Sequence, residues 1–363
     1  MKLTVNTVLL QDAIKRVNNI VGKNSTMPVL SNIYLNASNG RLQLAATDLE
    51  ISIRTSIEAD IEEEGENTLP AKKLQQIVNA LSGEVVQLDT DENLTTRILS
   101  GSAKFRLMGM SAESFPIDAD FQIDRELVFP YNEFDKVLSK ISYAVSDDET
   151  RYVLNGILLS IREGNIISVA TDGRRLALVE KVYSDEDLID GDVILPIKVV
   201  NELGRLNGGD NPLNIKMSDS RISFALGETI ITSKLIEGTY PNYRQVIPSD
   251  YENAVVFNRD LFLQVLNRVS VVIVDRDDSM LFELSENLMT MSASSTDFGD
   301  ASEPIDVQYD GPELKIRFNP YYLHETLRNQ ESDDITIRLN NSMKPVVIYG
   351  DEGFLSVLMP MRN

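Results

Sequence analysis

Three stretches of equal length recur along this 363-residue chain, and nothing else in it restricts the possible folds as strongly. They run from Leu30 to Asp48, Leu154 to Asp172 and Ser279 to Asp297, and each closes on a Thr-Asp pair, at offsets of 124 and 125 residues. Self-similarity at a fixed period marks an architecture assembled from copies. Here the period is that of a whole domain, about 121 residues per third, enough for each copy to bury its own core.

Within each third the same helical signal returns. Leu10, Ala13, Ile14 and Val17 stand at i, i+3, i+4 and i+7, as do Phe134, Val137, Leu138 and Ile141, and Phe262, Val265, Leu266 and Val269. A second helix is expected from Pro70 to Ser82, Pro196 to Gly208 and Asn319 to Gln330, with proline at or just inside the start, where a missing N–H costs nothing. Between helices lie short runs rich in Val, Ile, Leu and Thr, separated by turns such as Asn39-Gly40 and Asp351-Glu352-Gly353. The chain therefore reads as α+β, with six half-units of strand, helix and antiparallel strands. Its three similar domains are expected at 1–120, 128–247 and 255–363, each with two helices packed on antiparallel sheets.

Charge is unevenly placed. The six helical segments hold eleven Lys or Arg against six acidic residues, so they carry +5 and leave −27 for the rest of a chain whose net charge is −22. Helix propensity for Lys accounts for part of this. The alternative is that the helices share one surface that meets a polyanion while acidic strands face away. Three like domains joined head to tail with their helices on one side make an arc, and heterologous association of arcs closes a ring.

Chemistry is sparse. Zero cysteines exclude disulfides, thiolate catalysis and cysteine metal sites, and the single histidine, His324, has no motif around it. Asp89 to Asn93 and Asp185-Glu186-Asp187 lack the Gly and Glu of a calcium loop. Asp147/Asp148 and Asp277/Asp278 are adjacent, so in strands they would point apart. No catalytic residue, metal or cofactor is expected. The polar-interrupted start after Lys2 is no signal peptide, the apolar run Val269 to Val274 is too short to span a bilayer, and the expected location is cytoplasmic with no membrane partner.

Five segments in order resemble one family over the whole length: Ser114-Phe-Pro116, Arg151-Tyr-Val-Leu-Asn-Gly156, Ala170-Thr-Asp-Gly-Arg-Arg-Leu-Ala177, Gly238-Thr-Tyr-Pro-Asn-Tyr-Arg244 and Met359-Pro-Met-Arg362. The chain resembles the bacterial DNA polymerase III β subunits, the replication sliding clamps. The resemblance implies a head-to-tail homodimeric ring of DNA clamp domains around double-stranded DNA, held without sequence preference. It acts as a processivity factor that tethers the replicative polymerase and binds clamp loader and repair proteins through short peptide motifs. A non-encircling peptide-binding scaffold is the alternative.

The same resemblance, with the basic helices, implies DNA-facing groups at Lys23, Asn24, Arg151, Tyr152, Val153, Lys198, Arg205, Lys72 and Lys136. It implies a peptide pocket between the second and third domains. Leu154, Thr171, Gly173, Arg174, Arg175 and Leu176 would line one side of it, with Pro241, Gln245 and Val246 in the connector. Met343, Val346, Val357, Leu358, Met359, Pro360, Met361 and Arg362 would come from the last domain. Flexible Met side chains there suit several partners. The dimer seam is expected to join Phe105 and Leu107 to Val271 and Val272, with Lys73 near Asp300 or Glu303. The family pattern has His where Arg174 stands, commonly Arg at Gln245, often Leu at Asn363, and often Arg and Tyr at Asn24 and Val153, so these contacts are expected to differ here. Repeat one has Leu49 and repeat three Phe298 in line with Gly173.

Overall fold

The structure is a computed structural model that describes residues 1–22, 27–117, 121–183, 190–275 and 278–362. Each third opens with a strand and helix followed by further strands, then repeats the sequence. The first holds β1 (Lys2–Asn6), α1 (Thr7–Asn18), β2 (Asn32–Ser38), β3 (Arg41–Thr47), β4 (Ile51–Glu58) and β5 (Asp60–Glu63). Then come β6 (Gly65–Pro70), α2 (Ala71–Ala80), β7 (Val85–Thr90), β8 (Thr95–Ser100) and β9 (Ala103–Met108). The second holds β10 (Arg125–Pro130), α3 (Tyr131–Ser142), β11 (Gly156–Arg162), β12 (Asn165–Thr171) and β13 (Arg175–Val182). It continues with β14 (Gly191–Pro196), α4 (Ile197–Leu203), β15 (Pro212–Met217), β16 (Arg221–Leu226) and β17 (Thr229–Lys234). The third holds β18 (Asn253–Asn258), α5 (Arg259–Val269), β19 (Met280–Ser285), β20 (Leu288–Ser295) and β21 (Gly299–Asp306). It ends with β22 (Leu314–Phe318), α6 (Pro320–Arg328), β23 (Asp334–Leu339), β24 (Val346–Tyr349) and β25 (Phe354–Leu358).

Asparagine starts three of the helices. Asn6 accepts from the N–H groups of Val8 and Leu9, Asn258 from that of Leu261, and Asn319 from those of Tyr321 and Tyr322, with Pro320 in the first turn. The expected apolar stripes are buried, except that Val137 of α3 is half-buried. α4 differs from expectation: it ends at Leu203, so Arg205 lies beyond the helix. The Tyr131 hydroxyl donates to the Leu203 carbonyl at 2.8 Å and to that of Leu206, satisfying carbonyls that another helical turn would have used.

Compactness divides the chain into two units that do not follow the thirds. The first unit comprises Met1–Asp135 and Lys198–Leu235, the second Lys136–Ile197 and Ile236–Asn363. The first contains a five-stranded sheet, β5-β1-β7-β8-β9, and an eight-stranded sheet, β10-β15-β16-β17-β4-β3-β2-β6. The second contains the eight-stranded sheet β14-β11-β12-β13-β25-β24-β23-β18 and a four-stranded one, β21-β20-β19-β22. Each long sheet thus crosses from one third to the next, through β4–β17 in the first unit and β13–β25 in the second. β9 and β21 are left as sheet edges.

Ion pairs reinforce each crossing. In the first unit Arg41 meets Glu228 at 2.8 Å and Lys234 meets Glu50 at 3.4 Å. In the second, Lys136 meets Glu331 at 2.8 Å and Lys140 meets Asp351 at 2.5 Å. Asp351 also accepts from the N–H and Oγ of Ser332, both at 2.8 Å, and from the Glu331 N–H at 3.0 Å. Burial opposes its ionisation, yet Lys140, Ser332 and the backbone donors prevail and hold the carboxyl at about 2 against the usual 3.8.

A carboxyl depressed in the folded state adds stability above its unfolded pKa and loses it as pH falls through the folded one. Asp351→Asn is therefore expected to cost about 2 kcal/mol at pH 7 in urea unfolding, the difference from wild type shrinking between pH 4 and pH 2.

Candidate functional site

The site is built around a turn whose chemistry the repeats share. Between β12 and β13, Thr171 Oγ1 donates to the Arg175 carbonyl at 2.6 Å and accepts from the Gly173 N–H at 3.1 Å. Asp172 Oδ1 accepts from the N–H groups of Arg174 and Arg175, at 2.8 and 3.0 Å. The first copy does the same: Thr47 Oγ1 meets the Ile51 carbonyl and the Leu49 N–H, and Asp48 Oδ1 accepts from Glu50 and Ile51. The repeated Thr-Asp pair is thus a device for closing a hairpin. Leu49 and Gly173 occupy the same left-handed conformation, with φ of 78° and 85°. The third copy departs, because Ser295 pairs with Gly299 and the loop is one residue shorter. Its left-handed residue is Gly299, not Phe298, which is 71% exposed.

The second copy builds this hairpin into a wider junction. Arg175, with its side chain 7% exposed, directs Nε to Asp172 at 3.1 Å and Nη1 to Glu325 of α6 at 2.5 Å. Its Nη2 donates to the Tyr143 carbonyl at 2.5 Å, and the guanidinium lies 4.5 Å from the Tyr322 ring centre and 5.1 Å from that of Tyr143. Beyond β25 the pairing continues: the Met359 N–H donates to the Arg174 carbonyl at 2.9 Å, and the Met361 N–H to that of Arg317 at 2.8 Å. Met359-Pro360-Met361 is therefore pinned against two elements rather than trailing from a last strand.

Of the expected pocket residues, Leu154, Leu176 and Val357 share one cluster with Leu158, Val169, Tyr240 and Val347, forming a buried apolar floor. Gly173, Arg174, Pro241, Gln245, Val246, Met343, Met359 and Arg362 are exposed around it, while Thr171, Pro360 and Met361 are half-buried. Val346 and Leu358 do not belong to this face. Both are fully buried in the core of the last third, with Val255, Leu323 and Leu327, because neighbouring residues in a strand point to opposite faces. Val347 takes the place assigned to Val346. The sequence reading also missed Tyr322, whose hydroxyl accepts from Arg174 Nη1 at 3.3 Å.

Lys23 and Asn24 lie outside the described residues, as do Asp185 to Asp187, Asp277 and Asn363. Arg151, Tyr152 and Val153 fall in a 3-10 segment, Glu149–Leu154, started by the Asp148 side chain. Asp147 and Asp148 thus precede a helical turn and are not strand residues. Arg151 Nη1 donates to the Asp172 carbonyl at 3.0 Å, so this segment adjoins the Thr-Asp turn, and Tyr152 is 56% exposed. The expected cations are mostly engaged already. Lys136 meets Glu331, Lys198 meets Asp48, and Arg205 meets the buried Glu202. Lys72 is exposed, with no ion pair among the described residues. On the expected seam, Phe105 and Leu107 are half-buried on the edge strand β9, and Val271 is 81% exposed. Asp300 is exposed on β21, whereas Glu303 is held by Arg268 of its own chain at 2.6 and 2.9 Å. Lys73 reaches Gln76 at 3.2 Å. Asp91 spends Oδ1 on the N–H groups of Asn93 and Thr95, and among the described residues no acidic or His cluster is arranged to hold a metal.

Lys cannot reproduce the three-way guanidinium contacts or the stacking between rings. Arg175→Lys is expected to lower stability by about 2 kcal/mol in urea unfolding and to speed hydrogen exchange at the Arg174 and Met359 amides, with the fold unchanged.

Comparison with known proteins covers the whole chain. Family models of the DNA polymerase III beta subunit match as the N-terminal domain over 1–119, the central domain over 129–242 and the C-terminal domain over 244–362. The beta sliding clamp of Chlamydia muridarum is 30% identical over 362 residues, covering 100% of this chain and 99% of that protein. That of Escherichia coli is 31% identical over 369 residues, with both chains covered completely. Among solved structures, the DNA polymerase III subunit beta of Pseudomonas aeruginosa superposes with a TM-score of 0.96 at 28% identity, covering 100% of each chain. The sliding clamp of Bartonella birtlesii, solved with griselimycin bound, gives 0.95 at 31%, again with full coverage of both.

Proposed function

Because the chain belongs to the family of DNA polymerase III beta subunits, the sliding clamps, we propose that two copies close head to tail into a ring around duplex DNA. The pairing pattern of the strands supports this reading most directly. In each third, the last long strand of the first half seeks the last strand of the next third's second half: β4 finds β17, and β13 finds β25. Continued once more, the rule calls for β21 to pair with β9, and both are free edges. A second copy supplies each missing partner, and two such contacts complete a closed heterologous set. Phe105 and Leu107 on β9, with Val271 and Val272 beyond α5, would form its apolar centre, and Asp300 would meet Lys73. Three clamp domains, at 1–120, 128–247 and 255–363, are the repeating parts of this scheme.

Holding DNA while sliding requires contacts that are electrostatic, sequence-blind and individually weak. Lys72, Lys136, Lys198, Arg151, Tyr152 and Lys23 are the proposed contacts, with Arg205 acting from the turn after α4. Phosphates would compete with the carboxylates that now partner Lys136 and Lys198. That competition keeps each contact weak. Peptide segments of the replicative polymerase, clamp loader and repair proteins are proposed to dock over the Leu154, Leu176 and Val357 floor, between the Thr171–Arg175 turn and the Met359–Met361 tail. No catalytic role is assigned, because the Asp side chains at the turns are committed to backbone N–H groups. The proposed site of action is the cytoplasm, where replication of bacterial DNA takes place. Among the described residues no helix is long and apolar enough to cross a membrane.

Sedimentation of the purified protein is expected to give the mass of two chains, with Leu107→Arg giving one. Wild type should stay on nicked circular DNA and leave when the circle is cut. Equal loss from circular and linear DNA would instead favour a scaffold that never encircles. Removing Met359 to Asn363 is expected to weaken a Leu- and Phe-containing peptide at least about tenfold, or roughly 1.4 kcal/mol, in fluorescence titration.

A further inference from the structure

The two eight-stranded sheets repeat each other in register, and one face differs. In the second unit Leu176 stands opposite Val357 and Leu178 opposite Leu355, and β24 sets Val347 and Tyr349 beside that strand. These six large side chains pack into one apolar cluster with Tyr240 from the connector after β17. In the first unit the matching positions hold Ser52 opposite Thr232 and Arg54 opposite Ile230, with Ser223 and Ala225 on the neighbouring strand. Strand order and pairing are the same, so Ser replaces Leu, Thr replaces Val, Ser replaces Val and Ala replaces Tyr at equivalent points.

The smaller residues leave a cavity of about 400 Å3 on this face. Phe115 and Pro116 form part of its wall, and they stand in the sequence where Tyr240-Pro241 stands in the next copy. Its mouth carries Ile117 and Ile123, 54% and 46% exposed. Apolar walls with a few polar groups are the usual make-up of a ligand site. Two cations, Arg54 and Lys216, line the cavity and suit an anionic group on the ligand. Lys216 meets Glu126 at 3.5 Å with both side chains largely in solvent, a contact that is easily exchanged. Arg54 has no ion pair among the described residues.

We propose that this cavity is a second docking site for an extended peptide carrying one large apolar side chain beside an Asp or Glu. The apolar group enters beneath Phe115 and Ile117, and the carboxylate reaches Arg54. The choice of a peptide as occupant rests on the reading of the second-unit pocket, whose strand face this one repeats.

The test uses the full chain and the photoreactive tripeptide acetyl-Asp-Leu-benzoylphenylalanine-amide, with adducts mapped by proteolysis and mass spectrometry. Adducts are expected on Phe115 to Ile117 or β16–β17, as well as at the second-unit pocket. Ser223→Val with Ala225→Tyr restores the residues of the second copy and should reduce the first set at least tenfold while sparing the second. Arg54→Leu, or an Asn probe with wild type, should reduce the first set severalfold. Adducts confined to the second-unit pocket, or a first set unchanged in all these tests, overturn the second site and leave the pocket assignment intact. Adducts at neither place overturn both.

Discussion

Backbone pairing between consecutive thirds is the interaction on which the rest depends. β4 binds β17 and β13 binds β25, so each long sheet takes half its strands from one third and half from the next. Hydrogen-bonded ladders set register to within a residue, because a slip by one would turn every buried side chain to the opposite face. This rigidity lets Arg175 meet Glu325, and Lys140 meet Asp351, across some 150 and 211 residues of chain. A looser contact between separately folded thirds would not hold a guanidinium between two rings and two carboxylates.

The Thr-Asp pair shows how one local device acquires different uses. In the first two copies it closes a hairpin by satisfying backbone groups at fixed offsets. What surrounds the turn then decides its role. In the first copy the free oxygen of Asp48 meets Lys198. In the second, Asp172 orients Arg175, and a strand from the last third brings the Met359 tail against the same loop. Glycine at position 173 matters because its φ of 85° is the left-handed region, which Leu49 reaches in the first copy only at a conformational cost. A β-carbon there would also stand 2.9 Å from the Arg151 guanidinium, which leans on the turn.

Three helical cations are neutralised across thirds. Lys136, Lys140 and Lys198 each reach a carboxylate supplied by another third, so at these points positive helix charge meets negative charge at the seams between copies. An electrostatic surface built from such pairs responds to a competing polyanion by exchange of partners. That is compatible with contacts that must be made and broken repeatedly.

Periodicity and repetition in the sequence determined the threefold plan, the six strand-helix units and the core-facing stripes of α1, α3 and α5. These depend on residues within a turn or two of one another, and local chemistry is enough to specify them. Where α4 stops was not legible, because Tyr131 caps it from more than sixty residues upstream. Nor could the sequence distinguish Val346 from Val347, or Leu358 from Val357, since which face of a strand is the pocket depends on what is laid against it. The cavity over β4 and β17 was likewise invisible, although Ser52, Ser223 and Ala225 are unremarked small residues in any linear reading. Only tertiary structure brings strands from different thirds side by side, and a site made of such neighbours exists in three dimensions before it exists in any spacing along the chain.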